Sequence, residues 1–435
     1  MDVRVTEAAY PLTFRQEESK KLGEYLKQRQ CVNLIGMKRV GISNFLRFFL
    51  IHTDISKTYV STKQQHLFIS VDLNDLVERE LFPFWTLTLK RIVDAADGAK
   101  LPAETKKQIS ALFLRTIQSR DLFLAIDNIR LALSLLVKND ILPTLFFLRF
   151  DRLKDAFNPS FFDNLEGLRD ASDEQVSYVF TSYRSLDVVF PAVKTSLSVF
   201  AQHMYVRPAK SEDMRCVYEA YTKRYGLSLS ESVEEAIFSV VNGNLQYLQL
   251  ALIILKEKGD ISLATESEVL QLLLSDERIV LESEELWESL SPDEQAVLLR
   301  VAKKQTVTEA DHVKAVYLWE TGFVQEHDGV GKVFSPLLAH YLLSHDEQTN
   351  RKSHAAHLTR KEHLLFKLLE SHLGEICERD KIIEAVWPEY SEFGVSDWAI
   401  DRLVARVRVK LREQESPYEV VTVRTRGYKL AMAKG

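Results

Sequence analysis

The chain has 435 residues, 46% of them hydrophobic, and a formal net charge of -6. Its length exceeds one ordinary core and predicts roughly two to four domains of ~100–200 residues each. The acidic balance does not by itself announce a nucleic-acid binder, so any such activity must rest on a local basic patch. The three cysteines, Cys31, Cys216 and Cys377, are far apart and form neither a CxxC pair nor a metal spacing with histidine, which excludes a disulfide scaffold and fits a reducing compartment. The N-terminal stretch MDVRVTEAAYPLTFRQEE has no cationic-then-apolar signal pattern. The apolar runs FLRFFLI and LQLALIIL fall short of the ~18 residues a membrane helix needs. The expectation is a cytoplasmic protein with no membrane contact.

In chain order, 17–30 reads as an amphipathic helix and CVNLIG (31–36) as a buried strand ending in glycine, with a helix following near Gly41. HLFISVDL (66–73) is a second strand. PFWTLTLKRIVDAAD and PAETKKQISALFLRTIQ are helices. DLFLAIDN (121–128) reads as a third strand and SYVFTSYRS (177–185) as a fourth. Apolar strands alternating with helices predict a mainly parallel α/β sheet. The stretch 211–258 is helical in character. SPDEQAVLLRVAKKQ then opens a compact unit that ends in apolar pieces around a Gly-containing turn, a small winged-helix pattern. SHDEQTNRKSHAAH (344–357) is polar and reads as a linker, and LTRKEHLLFKLLE opens the last domain.

The stretch GMKRVGIS (36–43) has the shape of a phosphate loop. Gly36 and Gly41 carry the spacing that lets backbone fold around anionic oxygens, and the following helix N-terminus presents N–H groups. Ser43 stands where a magnesium ligand belongs, and Asp127, read as the end of the third strand, would be its acidic partner. Ile42 replaces the usual lysine, Lys38 and Arg39 lie inside the loop, and Asn128 stands where a water-activating acid is common. Thr181, Ser182 and Arg184 end the fourth strand at the same sheet edge, where ligands of open α/β sheets bind. Three readings stay open: a tight turn in a fold that has lost its nucleotide, retained binding with weak or absent hydrolysis, or full ATPase activity.

Roughly the first 275 residues resemble the signal-transduction ATPases with numerous domains, relatives of the AAA+ group. The resemblance rests on the F-R-x-E element at 14–17, the loop, the Asp127 segment, the Thr-Ser-x-Arg segment and the lid sequence GNLQYLQLAL. It implies ATP or ADP with magnesium as the ligand, held by Arg15, Gly36, Lys38, Arg39, Gly41, Ile42, Ser43, Asp127, Thr181 and Arg184, with Ser43 and Asp127 at the metal. Ile42, Asn128 and a lid without proline depart from the family and imply hydrolysis that is weak or absent.

The last segment is the most informative. In SDWAIDRLVARVRVKLREQ (396–414), Ile400, Leu403, Val404, Val407 and Leu411 form a core stripe. Arg402, Arg406 and Lys410 recur along one flank, Arg408 and Arg412 along the other, with Trp398, Ala405 and Val409 between them. Cations at both edges of an apolar strip suit a major groove, where they meet phosphates or guanine edges and the strip meets thymine methyls. YEVVTVRTRGYKLAM (418–432) reads as a β-hairpin wing carrying Arg424 and Arg426. The pieces LTRKEHLLFKLL, GEICERDKIIEAVW, VSDWAIDRLVARVRVKL and VTVRTRGYKL resemble the OmpR-type winged-helix effector domain of response regulators, which implies double-stranded DNA as partner.

The expected architecture is multidomain α/β plus α. It comprises a P-loop-type parallel-sheet domain (1–205), a helical lid (206–281), a structural or partner-docking winged helix (282–346), a linker (347–356) and an OmpR-type winged helix (357–435). The corresponding function is a DNA-binding transcriptional regulator whose degenerate ATPase-like module is a nucleotide- or partner-controlled switch, through protein partners or self-association. Two alternatives stand beside it: an active oligomeric ATPase that remodels DNA or loads another machine, and a non-catalytic scaffold in signalling or defence.

Overall fold

The computed structural model describes residues 6–60, 63–76, 78–153, 156, 159–191, 201–259, 265–327, 329–351, 358, 360–386, 397–413, 416–423 and 426–432. The chain forms two compact units, Met1–Leu343 and Ser344–Gly435.

Unit 1 is built on five parallel strands: β1 (Cys31–Ile35), β2 (Gln65–Asp72), β3 (Ile141–Leu148), β4 (Ser177–Ser182) and β5 (Ala201–Tyr205), ordered β2-β3-β4-β1-β5. This is a P-loop-type α/β sheet. Its three central strands, β3, β4 and β1, are buried on both faces, as parallel strands covered by helices must be, while the edge strands β2 and β5 are partly exposed. Side chains alternate: Val32, Leu34, Phe146, Val179 and Met204 enter one core, while Cys31, Phe147, Tyr178 and Phe180 enter the other. The first core holds α1 (Gln16–Lys27) and α2 (Ile42–Ile51), after which comes the short α3 (Ile55–Tyr59). The second holds α4 (Leu81–Gly98), α5 (Ala103–Ser119), α6 (Leu122–Val137) and α7 (Pro159–Asp170), with the short α8 (Leu186–Val189) beyond β4.

The segment 121–128, expected as a strand, is the start of α6, and this is a correction. Asp121 caps the helix by accepting the Leu124 N–H at 2.7 Å. The buried positions Ala125, Ile126, Ile129, Ala132, Leu133 and Leu136 then follow helical spacing. The third strand is the later run ILPTLFFL.

The lid helices are α9 (Ser211–Tyr225), α10 (Glu231–Val241), α11 (Leu245–Lys258), α12 (Glu266–Leu274) and α13 (Glu277–Glu288). The middle winged helix follows as α14 (Pro292–Ala302), α15 (Glu309–Lys314), α16 (Val316–Glu320), the hairpin β6 (Val324–His327) and β7 (Val330–Val333), and α17 (Pro336–Arg351). The stretch EADHVKAVYLWETG is thus two short helices parted at Ala315. Leu248, Leu286, Leu298, Leu318, Phe334 and Leu337 continue the same core that holds Phe45 and Phe48, so sheet, lid and winged helix share one apolar interior. Helix α17 runs through the first part of the expected linker to Arg351.

Unit 2 contains α18 (Arg360–Ser371), α19 (Arg379–Val386), α20 (Asp397–Glu413) and the antiparallel hairpin β8 (Tyr418–Val423) and β9 (Gly427–Met432). It is a winged helix with its own core, including Leu365, Ile382, Ile400, Leu403, Val404, Val407, Leu411 and Leu430. Among the described residues, no helix is long and apolar enough to cross a membrane.

Candidate functional site

The loop 36–41 leaves β1 at the C-terminal edge of the sheet, where β1 lies between β4 and β5 and the strand order reverses. Two residues of the loop adopt left-handed backbone, Arg39 (φ 63°) and Gly41 (φ 105°). Gly41 precedes the first turn of α2 and accepts the Phe45 N–H at 2.9 Å. The local shape is that of a phosphate cradle opening on a helix N-terminus.

The residues gathered around it belong to a different chemistry. Lys38 Nζ lies 3.7 Å from Glu285, and Arg39 Nε lies 3.1 Å from Glu285 and 3.9 Å from Glu282. Both acids come from lid helix α13 and are nearly inaccessible, at 5% and 6% side-chain exposure for Glu285 and Glu282. Burial disfavours the Arg39 cation, yet the two carboxylates outweigh burial and raise its pKa above the ordinary arginine range. A Cβ on Gly41 would stand 2.7 Å from Leu245 Cδ1, so the first residue of α11 closes the outer end of the loop. The half-buried Ile42 reaches back over the loop, its Cδ1 only 3.0 Å from where a Cβ on Gly36 would be. Ser43 is exposed at the start of α2.

Asp127 is not at this edge. It sits on α6, in the helical layer across the sheet from α2, and its carboxylate accepts Arg130 at 3.0 Å. Asn128 is buried on the same helix and donates to Leu112 O and Thr116 Oγ1 at 3.2 and 2.8 Å, so it fills a helix contact and no water-activating position. The residue that follows the true third strand is Arg149. Its backbone N–H donates to Thr181 Oγ1 at 2.7 Å and its guanidinium pairs with Asp72. Asp151 comes two residues later. Burial raises its pKa, opposed by the nearby cations of Arg152, Lys38 and Arg149. The run ILPTLFFLRFD carried the signal for Asp151 and Arg149, an apolar strand followed by charge, but the Asp127 segment imitates the same pattern earlier in the chain.

Arg15 is 1% exposed and serves as a brace: Nη1 donates to Arg207 O at 2.8 Å and Nη2 to Val40 O at 3.4 Å, while its backbone N–H donates to Asp213 at 2.7 Å. Arg184 donates to both oxygens of Glu294 at 2.7 and 2.6 Å and to Ser289 O at 2.6 Å, with its guanidinium 3.8 Å from the Tyr317 ring centre. Glu294 is also the third residue of α14 and closes a capping box with Ser291.

A magnesium nucleotide needs free cations on the loop, a lysine beside Gly41 and an acid at the end of the third strand. Here the cations hold carboxylates, the lysine is Ile42, and the residue directly after the strand is Arg149, with the buried Asp151 two positions further on. The residues as arranged do not fit that group.

In unit 2, the expected core stripe of α20 is buried: Ile400, Leu403, Val404, Val407 and Leu411 are 0–4% exposed. Asp401, Ala405, Val409 and Arg412 are exposed on the opposite side. The cations divide into two groups. Arg406 and Lys410 lie 3.3 and 2.6 Å from the two oxygens of Glu362, which is 1% exposed. Arg408 donates to Val420 O and to Thr422 Oγ1, both at 2.7 Å, bracing the helix against β8. Arg412 and Arg426 are exposed and Arg402 half-buried. Asp401, passed over in the sequence, pairs with Arg379 at 2.6 Å and accepts the Tyr428 hydroxyl, fixing α20 against α19 and β9. Arg424 lies outside the described residues, and of Trp398 only the helical backbone is described.

Residues 353–430 match the family model described as "Transcriptional regulatory protein, C terminal". The C-terminal unit is an OmpR-type winged helix. No curated protein matches the chain. Among solved structures, a Walker-type ATPase of Pyrococcus abyssi is similar over 76% of this chain and 95% of its own, at 18% identity and a TM-score of 0.49. The Aeropyrum pernix ORC2 protein, in ADPNP and ADP complexes, is similar over 81% of this chain and 98% of its own, at 12% identity and a TM-score of 0.46. The Aeropyrum pernix ORC1 protein in complex with DNA covers 98% of this chain and 91% of its own, at 11% identity and a TM-score of 0.37.

Proposed function

We propose that this chain is a DNA-binding transcription regulator, in which the winged helix of unit 2 reads duplex DNA and unit 1 is a switch governed by a partner. The observation that carries the reading is the family match over 353–430 together with α20. Its buried stripe is opposed by an exposed strip of Ala405 and Val409, with Arg402 and Arg412 at the margins. Such a surface offers methyl contacts for thymine and cations for phosphate or guanine edges. Arg426, beside the hairpin turn, adds a cation on the wing side.

A partner is favoured over a nucleotide as the input because the loop's cations already hold acids of the lid. The middle winged helix suits a docking role. Its short helices α15 and α16 are poor in cations, and Val313, Val316 and Val330 are exposed. Selection of bound sequences from a random pool of duplexes by the purified full chain tests the reading. Enrichment of one motif is expected; recovery of an unbiased pool would contradict a sequence-reading regulator.

A further inference from the structure

The loop of unit 1 has kept the form of an anion site while losing the groups a nucleotide requires. Two lid carboxylates from one helix, a turn apart at 282 and 285, meet its two cations. The carboxylates neutralise the side-chain cations of Lys38 and Arg39, the positive charges this loop would otherwise offer to phosphates. A second ion pair lies at the end of β4, which is hydrogen-bonded to β1. There Arg184, 13% exposed, is held by both oxygens of Glu294, 8% exposed. Lys38 connects the two, since its ammonium lies 5.2 Å from the ring centre of Tyr183, the neighbour of Arg184.

We infer that the loop's ligand in this protein is the chain itself: Glu282 and Glu285 stand in for nucleotide phosphates and hold the lid closed on the sheet without any bound nucleotide. The closure is therefore self-contained, with Leu245 seated on Gly41 beside the apolar interior that lid and sheet share. It concerns unit 1 alone and is independent of whether unit 2 binds DNA.

Hydrogen exchange on the full chain, with and without millimolar Mg-ADP, tests the inference. In the native chain, Mg-ADP leaves exchange of 36–43 and 277–288 unchanged. Glu282→Gln with Glu285→Gln removes both anions at nearly constant volume. Exchange in both segments then rises by roughly tenfold or more, the scale of a lost charge-assisted contact. Glu285→Gln alone gives a smaller rise in the same segments and is the variant to read if the double one does not fold. Protection of the native loop by Mg-ADP, or native-like exchange in the neutralised variants, would overturn the inference.

Discussion

Two arginines of α20 that look equivalent in sequence have different tasks. Arg406 meets a buried carboxylate with Lys410, whereas Arg412 is exposed at the far end of the same helix. Breaking a buried pair from one side leaves a charge in poor solvent, which costs more than the pair contributes when intact. Arg406→Ala with Lys410→Ala is expected to destabilise unit 2 by about 2 kcal/mol. Arg412→Ala should change its stability by less than about 0.5 kcal/mol. Urea denaturation followed by circular dichroism separates the two. At the loop, Ile42→Lys is the obvious attempt to restore a nucleotide site. With Glu282 and Glu285 already on the loop cations and Arg149 directly after β3, it should bring no rise in melting temperature with Mg-ATP. A ligand-dependent rise of several degrees would show an open cradle instead.

At the scale of elements, what the sequence disclosed depended on how local each signal was. The core stripe of α20 and its opposing exposed strip were legible because helical periodicity alone fixes them. So were β1, the loop and the start of α2, where an apolar run ends in Gly36 and Gly41. The third strand was not legible. DLFLAIDN satisfies the strand-then-acid pattern over eight residues, and only the continued period through Leu136 reveals a helix. Nor could Glu282, Glu285, Glu294 or Asp401 be found, since each gains its role from a partner distant in the chain or on another element. The wing shows the same dependence on tertiary contact. Gly427 has φ 140°, and a Cβ there would stand 2.1 Å from Cys377 O. The hairpin can therefore join the segment before α19 only with glycine at this position, where Cys377 and Tyr428 exchange backbone hydrogen bonds at 2.8 and 3.0 Å. Gly427→Ala is expected to cost unit 2 at least ~2 kcal/mol, by backbone strain and the loss of this contact. It should also weaken DNA binding, whereas a native-like melting temperature would show that the hairpin docks elsewhere.

The whole molecule comprises a sheet-and-lid unit closed by its own acids and a winged helix with an independent core. The P-loop-type fold persists in unit 1 through strand order, loop shape and a shared apolar interior, none of which requires a nucleotide. The claim that the switch reports to DNA depends on unit 2 being a binding domain in its own right. The most direct test is titration of a labelled duplex with residues 344–435 at a series of salt concentrations. Each phosphate neutralised contributes about -0.9 to the slope of log affinity against log salt. The account predicts binding that falls steeply with salt, and a slope that becomes shallower by about 0.9 for each of Arg412→Ala and Arg426→Ala where these meet phosphate. No binding at low salt, or binding indifferent to salt and to both substitutions, would contradict it.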